Sequence, residues 1–507
     1  MSNIETYVAI VKDKTHIDCI RDSIEKLGGI KNFIQDGDQV FIKTCFSLPS
    51  GFPANVNLDS LRELILMCKN AGAERIYVGD FPYPGISIRA LSELLGLEPF
   101  LKKLGAELAY LDGSNLISNK NKLTEEDLSK LKSELFTEKE ISDGYILYPK
   151  IIDNSDKLIV LNQVNVHPLF KVKISLLNLY SSIPNSHQCI RIEKSENIKK
   201  DKLYYDNYKA KLISKIIDIA ELRPPDLVIN DLFYILEDAG PYIYRDSNLK
   251  EIGVVISGTD IISTDLMILK ILNLDILNKD LIEHIKQREF GGYDLSNIEI
   301  IGADIDSLNF DIKLCESKLG KINIRNLYIR QGNYCSGCFL QAYYLLNLIK
   351  TIMIKDMKYL GETFFLIGKD PLDPDISEII EKRFQKSTNF NLDSPSIPDF
   401  KKKILKVNGH TIIFGDCAIN STKNRAFREI KVETYSGKKQ FKKKQKIEPN
   451  KLILELSGCP PNIYNCIIEM IKYFNKGNVP TLNLFYKTLQ YYYNKKEIEI
   501  LKKLEVI

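Results

Sequence analysis

A chain of 507 residues is about three times the modal domain length, room for two or three domains that each bury a core. With 44% apolar and 27% charged residues, its composition excludes intrinsic disorder over most of its length. Seventy basic against sixty-six acidic side chains leave a net charge of +4, too little for a global nucleic-acid footprint, so any basic partner site is local.

The opening stretch, Met1 to Lys14, alternates Val8 and Ile10 with charge and has no basic-then-apolar leader. The most apolar later stretch, Ala342 to Ile354, is interrupted by Lys350 and is shorter than the ~20 residues that span a bilayer. These readings argue against a membrane and place the chain in the cytoplasm. There, ten cysteines read as thiols or metal ligands rather than as a disulfide framework.

Short β-rich runs alternate with helical periodicity from the start. Val8 to Val11, Val40 to Thr44 and Arg75 to Gly79 read as strands, and Ile17 to Leu27 and Leu61 to Lys69 as helices, the second stopped at Gly72. Lysine-rich text from Ser114 to Glu138 reads as a solvated helical excursion. The rhythm resumes with strands at Leu158 to Leu161, Leu227 to Asn230, Gly253 to Ser257 and Ile298 to Gly302, and a helix from Ser263 to Leu272. A second series has strands at Ile322 to Ile329, Phe364 to Gly368, Thr411 to Gly415 and Leu452 to Leu456. Its helices are Phe339 to Lys355, Ile376 to Arg383 and Asn462 to Phe474, with a helical tail from Thr481. The expected class is α/β with two domains of mainly parallel sheet, over 1–325 and 326–478, and a tail over 479–507.

In the second series Cys335 and Cys338 form a Cys-x-x-Cys pair that opens a long helix, and two later strands end near Cys417 and Cys459. Parallel strands present their carboxyl ends on one rim, so four thiolates from three separated loops can face one point. One close pair plus two singletons suits an iron–sulfur cluster better than the paired knuckles of structural zinc, which stays as the alternative. Gly337, Gly415 and Gly458 lie beside these cysteines, where a missing Cβ lets backbone N–H groups approach sulfide. Cys19, Cys68, Cys189, Cys315 and Cys466 read as buried small hydrophobes, and Cys45 as either a core thiol or a cleft residue.

The three segments Cys335 to Cys338, Gly415 to Ala418 and Gly458 to Asn462 resemble the proximal-cluster domain of the nickel–iron hydrogenase small subunit and the related cluster-bearing subunit of complex I. That resemblance implies a flavodoxin-like domain in which Cys335, Cys338, Cys417 and Cys459 ligate one [4Fe–4S] cluster. No cysteine follows Cys466, so further clusters within the chain are not expected.

Over roughly residues 5 to 305 the chain resembles domain of unknown function family 362. The matching text is Lys43, Gly79 with Asp80, His167, Asn178, Asn230 with Asp231, then Glu237, Gly240, Pro241, Asp260 and Asp265. Thr44 and Cys45 replace the family's Pro-Asn. The resemblance implies a small-molecule or cation cleft with Lys43, Asp80, Asn178, Asp231 and Glu237 as binding residues. His167 would be its proton-exchanging group near neutral pH. Lys171 and Lys173 are candidates to replace lysines the family has elsewhere, and Asp260 and Asp265 read equally as caps of the helix Ser263 to Leu272.

The basic run Lys438 to Lys446 is an expected docking site for an acidic, ferredoxin-like electron partner, with a plain solvated surface as its simpler reading. A single Phe441 among lysines argues against nucleic acid. The leading expectation is a [4Fe–4S] protein that transfers electrons or reduces a small ligand held by the N-terminal domain. The alternatives are a non-catalytic iron–sulfur sensor or assembly subunit and a zinc-stabilised binding protein. No Gly-x-Gly-x-x-Gly follows a strand, so a nucleotide fingerprint is missing.

Overall fold

The computed structural model describes residues 6–12, 14–117, 123–190, 203–240, 247–274, 279–374, 410–429, 452–490, 492 and 494–506. The chain folds into two units, one of residues 1–315 with 491–507 and one of residues 316–490. The C-terminal tail is therefore shared: the helix Pro480–Gln490 belongs to the second unit and the helix Lys495–Lys503 to the first. Glu497, almost fully buried, takes Arg89 at 2.7 Å and so fixes that last helix within its unit.

In chain order the strands of the first unit are β1 (Thr6–Lys12), β2 (Gln39–Lys43), β3 (Arg75–Gly79), β4 (Glu107–Leu108), β5 (Phe136–Ile141) and β6 (Gly144–Pro149). There follow β7 (Lys157–Gln163), β8 (Asn165–His167), β9 (Lys171–Lys173), β10 (Leu227–Asp238), β11 (Ser247–Gly258) and β12 (Ile298–Gly302). Eight of them form one sheet in the order β12-β1-β11-β10-β7-β2-β3-β4, in which β11 runs antiparallel to both neighbours and the other pairs are parallel. Strands such as Leu158 to Leu161 and Val228 to Ile229 have no exposed surface, because helices cover both faces of such a sheet.

The chain leaves β2 toward β3 and β4, then returns to lay β7 on the other side of β2 and continues to β10. The winding direction therefore reverses between β2 and β7. At such a reversal the loops leaving adjacent strands part, and a crevice opens at the carboxyl ends.

Two parts of the first unit differ from the sequence expectation. The text around Ser114 to Glu138 holds the helix Glu125–Leu135, but its end pairs as β5 with β6 in an antiparallel hairpin. Strands β10 and β11 run well beyond the expected core segments, and their register shifts between Leu232 and Tyr234.

The second unit carries β13 (Leu327–Gln331), β14 (Thr363–Ile367), β15 (His410–Phe414) and β16 (Ile453–Leu456), all parallel and in sequential order. This is the run 1-3-4-5 of the flavodoxin order 2-1-3-4-5, without a counterpart of its outer strand among the described residues. The helix Ser336–Ile352 starts with Cys335 as its cap residue, and Asn462 caps Ile463–Phe474 by accepting from the N–H groups of Tyr464 and Asn465. The expected helix Ile376 to Arg383 and the run Lys438 to Lys446 lie outside the described residues, as does Pro241. Among the described residues no helix is long and apolar enough to cross a membrane.

Candidate functional site

Lys43 is the last residue of β2 and has no exposed surface. A buried ammonium is tolerated only when its protons are all taken. Here Nζ donates to Asp80 Oδ1 at 2.6 Å, Asn178 Oδ1 at 2.7 Å, the Thr44 carbonyl at 2.9 Å and Ser181 Oγ at 2.9 Å. Burial pushes the Lys43 pKa down, and the Asp80 carboxylate opposes that. Asp80, one residue past β3, also accepts from the Phe46 N–H at 2.8 Å and so ties the loop after β2 to the loop after β3. Three of the expected binding residues, Lys43, Asp80 and Asn178, thus meet at the crevice.

Asn178 is delivered by the helix Ser175–Tyr180, which lacks a side-chain cap of its own. Asp265 supplies one from the helix Ile261–Ile271: it accepts from the N–H of Ser175 at 3.1 Å and of Leu176 at 2.9 Å, and from the Ser175 hydroxyl. This corrects one sequence expectation. Asp260 does cap its own helix, Ile261–Ile271, but Asp265 sits inside that helix and caps another.

Burial raises the Asp265 carboxyl pKa to about 7. An unfolded aspartate releases its proton near 4, so between roughly pH 4 and 7 the folded chain binds more protons than the unfolded one. Stability from this group is therefore lost as pH rises through that window. In urea titrations from about pH 5 to about pH 8, the wild-type midpoint is expected to fall more steeply than that of Asp265→Asn. Parallel pH profiles would contradict the assignment.

His167 lies in the β8–β9 hairpin, which directly follows β7. Its Nδ1 accepts from the N–H groups of Leu169 at 3.2 Å and Phe170 at 3.1 Å, which leaves the ring proton on Nε2. Burial, with the Lys173 charge added, pushes its pKa down to about 3. His167 is therefore a fixed neutral donor, not the neutral-pH proton exchanger the sequence suggested.

Asp231 and Glu237 are not part of this cluster. Asp231 Oδ2 pairs with His16 Nε2 at 2.6 Å, and the His16 ring stacks on Phe233 at 4.6 Å. Glu237 lies six residues further along β10, about 20 Å at strand rise, where it accepts from the Lys313 N–H at 3.0 Å and fastens that segment. Nothing local in the sequence marks His16, because its partner is 215 residues away. Of the two readings open for Cys45, its contacts favour the cleft. Lys173 Nζ lies 2.9 Å from Cys45 Sγ and 3.2 Å from Ser47 Oγ, so the hairpin after β7 reaches across the crevice to the loop after β2. Lys171, by contrast, adopts a positive φ of 70° at the turn and joins no cluster described here.

In the second unit all four expected ligand cysteines follow the carboxyl ends of parallel strands. Cys335 and Cys338 are buried at the start of the helix Ser336–Ile352, Cys417 is half-buried in the first turn of Asp416–Thr422, and Cys459 is exposed. The loops that carry Cys417 and Cys459 are tied together. Gly415 donates to the Leu456 carbonyl at 2.9 Å, Asp416 N–H to the Gly458 carbonyl at 3.1 Å, and Gly458 N–H to Asp416 Oδ1 at 2.8 Å.

The Cys335 thiol is held down to about 6 by the hydrogen bond from Cys338 and by the N–H groups around it, and the Cys338 thiol is driven well up by the same pairing. Cys338 also feels the charges of Cys417 and Cys459, and Cys417 that of Cys335. As the side chains stand, no group of three or more His, Cys, Asp or Glu among the described residues is drawn tightly enough to enclose a metal ion.

Comparison with known proteins finds a family-model match within the first unit. No curated protein matches the chain. Among solved structures it aligns with the lactate racemase apoprotein from Thermoanaerobacterium thermosaccharolyticum at 12% identity and a TM-score of 0.31, over 81% of this chain and 83% of that one. A likeness of that degree says nothing about activity. Residues 40–270, which hold Lys43, Asp80, His167, Asn178 and Asp231, match the family model described as Domain of unknown function (DUF362), in agreement with the resemblance those residues carry.

Proposed function

We propose that residues 316–490 are an iron–sulfur module that binds one [4Fe–4S] cluster on Cys335, Cys338, Cys417 and Cys459. In this reading the chain serves electron transfer or the reduction of a small ligand held by the first unit. The observation that carries it is four thiols on loops at one rim of a fully parallel sheet, with the Cys417 and Cys459 loops joined by backbone hydrogen bonds.

The surroundings fit such a group on two further counts. Ser336 Oγ, beside Cys335, is buried and has no hydrogen-bond partner, so it is a donor in want of an acceptor such as sulfide. Gly415 has a φ of 91°, and a Cβ there would stand 3.4 Å from Cys338 Sγ; its absence keeps backbone close to the sulfur. When bound, the cluster supplies one-electron transfer at a potential set by burial and by hydrogen bonds to its sulfurs. The chain's own part is to hold the thiolates, to aim the N–H groups of Gly337 and Cys338 at Cys335, and to shield Cys335 and Cys338 from water.

Cys417→Ser is expected to lose most of the iron and sulfide after anaerobic purification. Cys68→Ser is expected to keep the wild-type content, because Cys68 is a fully buried thiol of the first unit, raised to about 12 by burial. Equal iron in the two variants would refute the ligand set.

A further inference from the structure

The strongest unassigned feature is the contact that bridges the β2–β7 crevice. Cys45 stands two residues past the end of β2 and is 2% exposed. Lys173 Nζ lies 2.9 Å from its sulfur. That contact sets a cation directly against a nucleophilic atom. Lys173 is half-buried.

His167 pairs with Lys171 across the hairpin, two residues from Lys173, so His167 and Lys173 share one face of the β8–β9 ribbon. With its Nδ1 occupied by two backbone N–H groups, His167 offers only an N–H donor. One more group at the crevice lacks a partner: Asn178 Nδ2, in a side chain with no exposed surface. A buried donor without an acceptor is what a polar ligand would satisfy.

We propose that Cys45 is the nucleophile of a second site, in the first unit, that adds reversibly to the carbonyl carbon of a small aldehyde or ketone. The sulfur's electron pair forms the S–C bond, the carbonyl π pair moves to oxygen, and Lys173 passes an ammonium proton to that oxygen. The products are a neutral thiohemiacetal or thiohemiketal and a neutral lysine, with no oxidant or reductant consumed. The His167 Nε2–H is a second donor for the developing oxyanion and keeps its own proton. The charged groups facing the pair are Lys43 and Asp80, which already neutralise each other. The site needs no cluster, so it stands or falls independently of the iron–sulfur reading.

The test is alkylation of the full-length protein by iodoacetamide near neutral pH, with the rate at each cysteine read by peptide mass spectrometry. Cys45 is expected to react at least about tenfold faster in wild type than in Lys173→Met, with Lys173→Arg restoring part of the rate. Propanal is expected to slow alkylation of Cys45 at concentrations that leave free cysteine unaffected. Cys19 and Cys68, fully buried, report unfolding. If they become reactive in Lys173→Met, the Lys173→Arg rate and the propanal protection of wild type decide. Wild-type Cys45 as inert as Cys68, a rate indifferent to Lys173, or no protection by propanal would each overturn the proposal.

Discussion

Lys43→Met is expected to destabilise the first unit by about 3–5 kcal/mol, the cost of leaving one partner of a buried ion pair uncompensated. The effect is large because neither Lys43 nor Asp80 has exposed side-chain surface and Nζ serves four acceptors on three elements: the loop after β2, the residue after β3 and the end of the helix Ser175–Tyr180. Removing the ammonium leaves the Asp80 carboxylate with the Phe46 N–H and the Ser181 hydroxyl, and leaves Asn178 with neither polar atom paired. The double variant Lys43→Met/Asp80→Asn is expected to recover part of the loss, since no net charge then stays buried. Urea unfolding followed by a first-unit probe measures both, and a single-variant cost below about 1 kcal/mol would show that the pair is not closed as described.

Gly458→Ala is expected to damage the second unit and its cysteine rim together. Gly458 has a φ of 134°, and a Cβ built there meets Pro461 Cα at 2.8 Å and the Pro460 carbonyl oxygen at 2.9 Å. Those are backbone atoms that cannot swing aside, so the turn carrying Cys459 must move. Backbone strain of this kind costs about 1–3 kcal/mol, and iron loading is expected to fall with it. Gly477→Ala is the matched control, because nothing lies within 4 Å of its added methyl. Equal iron content and equal stability in the two variants would contradict the tie between the 458–461 turn and the site.

The α/β rhythm is legible in the sequence because strands covered on both faces must be written as short apolar runs. Leu158 to Leu161 and Leu227 to Asn230 fall inside β7 and β10 for that reason. Strand β5 was illegible: Thr137, Glu138, Lys139 and Glu140 put charge on a half-exposed ribbon, and its β character comes from pairing with β6 rather than from burial. The same limit governs the site. Lys43, Asp80 and the four rim cysteines announce themselves by standing at or just past strand ends, a local feature.

Partners distant in sequence do not announce themselves. Asp265 reads as a cap of its own helix until Ser175, ninety residues away, is seen on its carboxylate. Likewise, Lys173 is one lysine among many until the hairpin lays it against Cys45, and His167 reads as a titrating residue until two backbone N–H groups and a neighbouring ammonium fix it neutral.

Anaerobic purification followed by iron, sulfide and zinc analysis, with an EPR spectrum of the reduced protein, reads the cluster on Cys335, Cys338, Cys417 and Cys459 itself. About four irons and four sulfides per chain and a reduced-cluster signal are expected; one zinc with no sulfide would refute the cluster and leave the second unit a zinc-stabilised structural module.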